Sequence, residues 1–362
     1  MKKIRVGIFF GGRSSEHEIS IRSAKSVIKS LDKDKFDIVL AGVDKSGKFH
    51  FGEKAISANI PTASQMLEDL RKIRIDYCSI PCASGLPVRV EESVSRDIDV
   101  VFPIFHGPFG EDGSIQGLLK SFNVPFVGPD VLGSAISMDK DVAKRLLRDA
   151  GIPTARHLTF YRHEYDKIKY DEVAAILGNI VFVKPANLGS SVGVSKVQSK
   201  NDFLEAIDKA FLYDNKIVLE EFVNAREIEC AVLGNEHPEA SLPGEIAVKA
   251  EFYSYEAKYI DDGGADLIIP ADLPAEIVQK IRETSLKAFQ ILCCEGMARV
   301  DFFVKDNFEI MLNEINAIPG FTEEISMYPK LWSASGLPYK ELLNRLIMLA
   351  ISRHKRDQKL IV

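Results

Sequence analysis

The sharpest restriction on the fold is a change of rhythm near residue 150. Before it, short apolar runs alternate with stretches of helical spacing: Ile4 to Phe10 reads as a strand, Gly11-Gly12 as a turn, Glu16 to Leu31 as a helix and Phe36 to Val43 as a second strand. That is a β-α-β unit, whose crossover helix implies parallel strands. Asp97 to Phe105 continues as a third strand, Ile115 to Phe122 as a helix and Pro125 to Gly128 as a short strand, which predicts an open α/β domain over residues 1–130, with 44–95 as an elaboration. Ser137 or Asp139 caps a helix that runs to Ala150 and is stopped by Gly151 and Pro153. Beyond it strands follow strands. Val181 to Lys184, Val194 to Val197 and Ile217 to Phe222 surround one helix, Asn201 to Phe211, in an α+β domain over residues 131–220. Residues 221–362 form a third part: strands from Glu227, a polar loop at 253–265, a helix from Pro274 to Leu292, a hairpin from Met297 to Asn316 and a terminal helix from Tyr339 to His354. No repeat or low-complexity linker separates the parts, so they are expected to pack together.

Composition narrows the function classes. With 46% hydrophobic and 27% charged residues the chain has the makeup of a globular protein. A net charge of −6, with no concentrated basic block, argues against nucleic acid as a partner. No apolar stretch reaches membrane-helix length and no signal-peptide core follows Met1-Lys2-Lys3, so a cytoplasmic location with no membrane partner is expected. Five cysteines, with Cys293 and Cys294 adjacent, fit neither a disulfide framework nor a zinc pattern and read as reduced, mostly buried thiols.

Several segments have the residue types that handle phosphate and metal. Gly42 to Lys48 has P-loop spacing, but Phe49 stands where the magnesium-binding hydroxyl belongs and the context is that of a hairpin turn. The Gly11-Gly12 turn lacks the spacing of a dinucleotide fold. Between two strands, Lys184 to Val197 (KPANLGSSVGVSKV) brings Gly189, Ser190, Ser191 and Gly193 beside Lys184. Glycine and serine alone read more simply as a flexible hairpin loop; the lysine supplies a counter-charge for a phosphate approached by backbone N–H groups. If the turn at Asp306-Asn307 has two residues, Arg299 faces Glu314, Asp301 faces Leu312, and Arg299, Asp301, Glu314 and Asn316 share one face. A three-residue loop would separate the two carboxylates. Carboxylates on strands otherwise as apolar as Val300, Phe302, Ile310, Leu312 and Ile315 are costly unless compensated, so a divalent metal is favoured over a solvated salt-bridge face. At the start of the first helix, Glu18 suits a helix-dipole cap. His106 follows the carboxyl end of a strand, where open α/β sheets bind ligands, but a structural histidine is equally open.

In order along the chain, GGRSSEHEIS at 11–20, HGPFGEDGSIQGLL at 106–119, SMDK at 137–140, KPANLGSSVGVSKV, YEAKY at 255–259, MARVDFF at 297–303 and NEINAIPGFT at 313–322 resemble the D-alanine:D-alanine ligases of the ATP-grasp superfamily. The resemblance implies a three-domain ATP-grasp architecture, an open α/β amino-terminal domain followed by two α+β domains that clamp ATP. It also implies ATP-dependent joining of two D-alanines through an acyl phosphate, for peptidoglycan synthesis, with two magnesium ions, manganese as an alternative ion, and a homodimer.

Residue by residue, the resemblance assigns Lys140, Lys184 and Lys258 to the phosphates, Glu220 and Glu227 to adenine and ribose, and Asp301, Glu314 and Asn316 to magnesium. Phe252 matches an aromatic of the nucleotide pocket, with plain core as the competing reading. The Gly320 N–H and Arg299 match the oxyanion hole. Glu16 matches the carboxylate that holds the first D-alanine's ammonium group, linked through Ser190 and Tyr259, and His106 lies near that substrate. Ser326 matches the binder of the second substrate's carboxylate. One more residue precedes it here than is usual, since Glu323, Glu324 and Ile325 follow Thr322; Ser326 therefore reaches the substrate only if a bulge or turn absorbs the extra residue and the glutamates point outward. The alternatives are a D-alanine:D-lactate or D-alanine:D-serine ligase, or a catalytically silent ATP-binding relative.

Overall fold

β1 (Ile4–Gly11) is buried from Arg5 onward, as a strand with neighbours on both edges and cover on both faces should be. The computed structural model describes residues 2–52, 98–248 and 265–361. α1 (His17–Ser30) carries the chain from β1 to a parallel β2 (Phe36–Val43), burying Ile19, Ala24, Val27 and Ile28. Ser20 ties this helix to the sheet: its hydroxyl accepts from Gly11 N at 2.7 Å and donates to the Ile104 carbonyl. β3 (Phe49–Phe51) folds back antiparallel on β2. The intervening turn, with Gly47 N donating to Asp44 O at 2.9 Å, is the expected hairpin in place of a P-loop. β4 (Val100–Ile104) adds in parallel on the other side of β1, giving the order β3-β2-β1-β4. After α2 (Ser114–Ser121), the short strand expected at Pro125 to Gly128 reduces to a single parallel bridge between Phe126 and Val101.

By their contacts the residues divide into two compact units: Met1–Gly128 with Ile318–Pro329 and Leu337–Val362, and Pro129–Ala317 with Lys330–Gly336. The second unit opens with α3 (Val131–Met138), a helix the sequence reading missed; Asp130 caps it by accepting from Val131 N at 2.8 Å. α4 (Lys140–Asp149) follows directly, capped by Asp139 and ended before Gly151 at φ +74°, as expected. The next sheet contains β5 (His157–Tyr161), β6 (Val181–Pro185), β7 (Ser195–Val197) and β8 (Lys216–Glu221) in the antiparallel order β5-β8-β6-β7. α5 (Tyr170–Leu177) and α6 (Lys200–Phe211) supply Val173, Leu177, Phe203, Ile207 and Phe211 to its core. β5 and α5 escaped the sequence reading: β5 is a half-exposed edge strand, and α5 is only eight residues long.

The third sheet contains β9 (Arg226–Gly234), β10 (Glu239–Ala240), β11 (Gly244–Val248), β12 (Ala265–Ile268), β13 (Gly296–Val304) and β14 (Ile310–Asn316), with the path β12-β11-β9-β13-β14 and β10 on β9. Between β12 and β13, α7 (Ala275–Ile291) packs Ile277, Ile281, Ala288 and Phe289 against it. α8 (Met327–Ala334) and α9 (Tyr339–Asp357) complete the described elements.

The β13–β14 hairpin differs from the expected register. Its loop has three residues, Asp306-Asn307-Phe308, closed by Lys305 N donating to Glu309 O at 3.0 Å, with Phe308 in the left-handed region at φ +62°. Alone, that loop would put Asp301 and Glu314 on opposite faces. A bulge at Asn313 reverses the alternation: Phe302 pairs with Leu312, but beyond the bulge Asp301 pairs with Glu314 and Arg299 with Asn316. The expected Arg299–Glu314 and Asp301–Leu312 pairs are thus corrected, while the four polar residues still share one face. Val300, Phe302, Val304, Ile310, Leu312 and Ile315 occupy the core behind it.

Candidate functional site

In the second unit, charge is gathered where α4, β6, β8 and the acidic face of the hairpin meet. Lys140 opens α4; its Nζ donates to the Leu188 carbonyl at 2.6 Å and lies 3.7 Å from Glu314 Oε2. Lys184, on β6, donates to Glu220 Oε2 at 2.6 Å. Lys144, which the sequence reading missed, stands 3.3 Å from Glu220 Oε1 and donates to the Asn313 carbonyl at 3.1 Å. Its i, i+4 spacing from Lys140 was the available signal. Glu220 and Lys144 are each only 2% exposed. Burial pushes the Glu220 carboxyl up, but Lys144 and Lys184 outweigh it and hold it at about 2. Burial pushes Lys144 down; at Lys184 the nearby carboxylates overcome burial and raise the ammonium. Glu220 is therefore an ionised anchor for two lysines.

The loop between β6 and β7 presents backbone. Asn187 fixes its entry, donating from N and Nδ2 to Asp214 Oδ2 at 2.8 and 2.9 Å. Ser190 and Ser191 are both left-handed, at φ +53° and +58°, a conformation of order 1–3 kcal/mol costlier for residues other than glycine. Gly193 has φ +73°, and a Cβ there would lie 2.7 Å from the Tyr213 ring, so only glycine fits. Strained backbone beside Lys184 suits close approach to an anion.

On the hairpin face, Arg299 forms a two-pronged bond to Asp301, Nε and Nη2 each 2.7 Å from a carboxylate oxygen, and meets Glu229 Oε2 at 3.0 Å. Burial lowers Arg299, yet Asp301 and Glu229 more than reverse this and keep the guanidinium charged. Glu229 was missed, although its two-residue spacing from Glu227 on β9 puts both on this face, opposite Asp301 and Phe303. Among the described residues no three His, Cys, Asp or Glu side chains converge as metal ligands. The oxygen donors on this face that could hold a divalent cation are the paired carboxylates of Asp301 and Glu314 with the Asn316 amide. Asn316 Oδ1 is buried and accepts no hydrogen bond among the described residues. Hard oxygen donors with one oxygen unsatisfied fit magnesium or manganese.

In the first unit the carboxyl ends of β1 and β4 face a cavity of about 260 Å³, lined by Gly12, Ser14, Phe49, Phe105, His106 and Leu118 among others. Glu16, at the start of α1, is buried, whereas Glu18 is exposed in the first turn, as a dipole cap should be. Ser14 donates to the His106 carbonyl at 2.6 Å and accepts from Glu16 N at 3.2 Å. His106 Nδ1 lies 3.4 Å from Glu111 Oε1, and its Nε2 is 3.1 Å from Ser23 Oγ. Burial lowers this imidazole, but Glu111 and Glu16 prevail and raise it. Ser23 Oγ also accepts from Phe321 N at 3.3 Å.

Beyond Gly320 the chain makes a turn, the conformation expected to let Ser326 reach the substrate. Ile325 N and Ser326 N both donate to the Thr322 carbonyl, at 3.3 and 2.8 Å, and Glu323 and Glu324 point outward, exposed. Thr322 N donates to Ser326 Oγ at 3.0 Å, and that oxygen lies 2.9 Å from where a Gly320 Cβ would stand. Of the other expected residues, Glu227 lies on β9, while Phe252, Lys258 and Tyr259 fall outside the described residues. Glu16 belongs to the first unit and Ser190 to the second.

Two family models match: "D-ala D-ala ligase N-terminus" over residues 5–129 and "D-ala D-ala ligase C-terminus" over 146–348. The D-alanine–D-alanine ligase of Shouchella clausii is 50% identical over 365 aligned positions, covering 99% of this chain and 98% of that protein. The solved D-alanine-D-alanine ligase of Coxiella burnetii superimposes with TM-score 0.83 at 38% identity, covering 99% and 97% of the two chains. The VanG D-Ala:D-Ser ligase of Enterococcus faecalis gives TM-score 0.81 at 34% identity, over 96% and 100%. With both halves matched and half of all positions shared with a full-length relative, the chain belongs to the D-alanine–D-alanine ligase family, and its three sheets are those of a multidomain ATP-grasp fold.

Proposed function

We propose that the chain joins two D-alanines to D-alanyl-D-alanine at the expense of ATP, for peptidoglycan precursors. The observation that supports this most is the arrangement in the second unit: Lys140 and Lys184 beside a strained backbone loop, with Asp301, Glu314 and the unsatisfied Asn316 oxygen on one strand-paired face. A carboxylate resists attack by an amine until one of its oxygens becomes a leaving group. Transfer of the γ-phosphoryl group to the first D-alanine makes that oxygen part of an acyl phosphate; the second amine then attacks the carbonyl carbon and phosphate departs. Lys140, Lys184 and the Ser190–Ser191 backbone neutralise and align the phosphates, since phosphoryl transfer is mainly positioning and charge compensation. Asp301, Glu314 and Asn316 would hold magnesium, or manganese, which would supply positive charge to offset that of the phosphates.

Arg299, kept charged by Asp301 and Glu229, with the Gly320 N–H, stabilises the oxygen that becomes negative as the amine adds. Glu16 takes the first ammonium group, His106 orients that substrate, and Ser326 holds the second carboxylate. Glu220 and Glu227 border the nucleotide, with Phe252, Lys258, Ser190 and Tyr259 completing nucleotide and substrate contacts. The proposed setting is the cytoplasm, as a homodimer with small-molecule substrates and no nucleic acid. Among the described residues no helix is long and apolar enough to cross a membrane.

The test is phosphate release from ATP with D-alanine alone, against D-alanine with D-lactate or D-serine, with products identified by mass. Release that depends on D-alanine, with the dipeptide as main product in every mixture, is the expected result. A depsipeptide or D-alanyl-D-serine as main product would transfer the chain to a neighbouring specificity, and no D-alanine-dependent release would remove the ligase reading.

A further inference from the structure

α4 carries two ammonium groups one turn apart, and only Lys140 has been given a task. The other, Lys144, is buried, and its two partners lie on different strands: Glu220 Oε1 on β8 at 3.3 Å and the Asn313 carbonyl on β14 at 3.1 Å. Asn313 is the extra residue of the bulge, the position at which β14 changes face. Without that change Glu314 and Asn316 would point into the apolar core with Leu312, and Asp301 would lack its cross-strand carboxylate. A bulge frees the extra residue from the ladder, so its carbonyl needs another donor in a buried setting. Lys144 is that donor. The opposite edge of the problem is also fixed, since Leu312 N donates to the Pro153 carbonyl at 2.8 Å.

We propose that Lys144 is a positioning residue for the divalent-metal site: held in place by Glu220, its ammonium secures the Asn313 carbonyl and thereby keeps Glu314 and Asn316 on the side of Asp301. This rests on the reading of Asp301, Glu314 and Asn316 as metal ligands in an ATP-dependent ligase. It assigns Lys144 no contact with substrate. The effect should therefore fall on the metal, with little on the amino acids.

The test uses the full chain with Lys144→Met and Lys144→Gln, folding being checked by circular dichroism. Mn2+ binding is titrated by electron paramagnetic resonance with a non-hydrolysable ATP analogue present, alongside the KM for D-alanine. In the wild type, Mn2+ should bind; if it does not, the ligand assignment itself fails, and Lys144 is not to blame. In a folded Lys144→Met chain, Mn2+ affinity should drop roughly ten- to a hundredfold, the range seen when groups supporting metal ligands are lost, while the KM for D-alanine stays within about twofold. Should the Met variant not fold, the Gln variant is judged by the same thresholds. Unchanged Mn2+ affinity in a folded variant overturns the proposal. So does parallel weakening of metal and D-alanine, or failure of both variants to fold, each of which makes Lys144 a plain core residue.

Discussion

Gly107 shows how tightly a single position can be bound to the chemistry beside it. Its φ is +76°, and a Cβ built there would lie 2.5 Å from Glu16 Oε2. Alanine at 107 therefore has to displace the carboxylate proposed to receive the first ammonium group, besides adopting a backbone angle that side chains disfavour. The expected outcome for Gly107→Ala is a KM for D-alanine raised roughly tenfold or more, because misplacement of a positioning group by about an ångström is worth that much. The KM for ATP should stay near the wild-type value, and steady-state kinetics with each substrate varied in turn makes the comparison. Equal changes in both constants would show that Gly107 merely supports the loop.

At the scale of elements, α4 depends on Asp139, whose carboxylate has two duties. One oxygen accepts from Val142 N at 3.0 Å and caps the helix; the other takes the Lys216 ammonium. Asp139→Asn keeps the cap and loses the ion pair, whereas Asp139→Ala loses both. Urea unfolding should therefore rank wild type above Asn and Asn above Ala, with the Asn-to-Ala step near 1 kcal/mol, the usual worth of a cap. A larger wild-type-to-Asn step would make the Lys216 pair the dominant role. This cap was legible in the sequence, because Asp before a periodic run and Gly-x-Pro after it are local signals. The hairpin was legible only in part. Its acidic face could be anticipated from the apolar residues between the charges, but Asp306-Asn307 imitates a two-residue turn while the left-handed position belongs to Phe308, a residue that does not announce it. Nor does anything local mark Asn313 as a bulge. Two departures from regular alternation cancelled, so the expected face was reached through the wrong pairing. Lys144 and Glu229 each had a local signal, the one-turn spacing from Lys140 and the two-residue spacing from Glu227, but what each does depends on a partner distant in the chain, which spacing does not report.

The whole molecule is woven. The first unit draws on Met1–Gly128, Ile318–Pro329 and Leu337–Val362, with the greater part of the second unit between them. α9 is integral to the first unit: Arg353 donates to the Gly128 carbonyl and, at 2.8 Å, to the Phe126 carbonyl, and its guanidinium lies 4.7 Å from the Phe126 ring centre. Lys340 reaches Asp32 at 3.3 Å, and the Tyr339 hydroxyl donates to the Phe321 carbonyl at 2.5 Å. A fragment ending at residue 128 should accordingly fail to fold alone and should gain structure when a peptide of residues 337–361 is supplied; circular dichroism and limited proteolysis of the two together would register this. A cooperatively folded 1–128 fragment would contradict it. The same weaving sets a schedule during synthesis. The strands of the first sheet leave the ribosome early, yet the helix that completes their unit follows only after Pro129 to Asp357 has been translated, roughly ten to fifty seconds later at ordinary elongation rates. For that interval Phe126 and its neighbours lack the cover of Arg353, so the nascent stretch up to Gly128 is where chaperone binding during synthesis is expected.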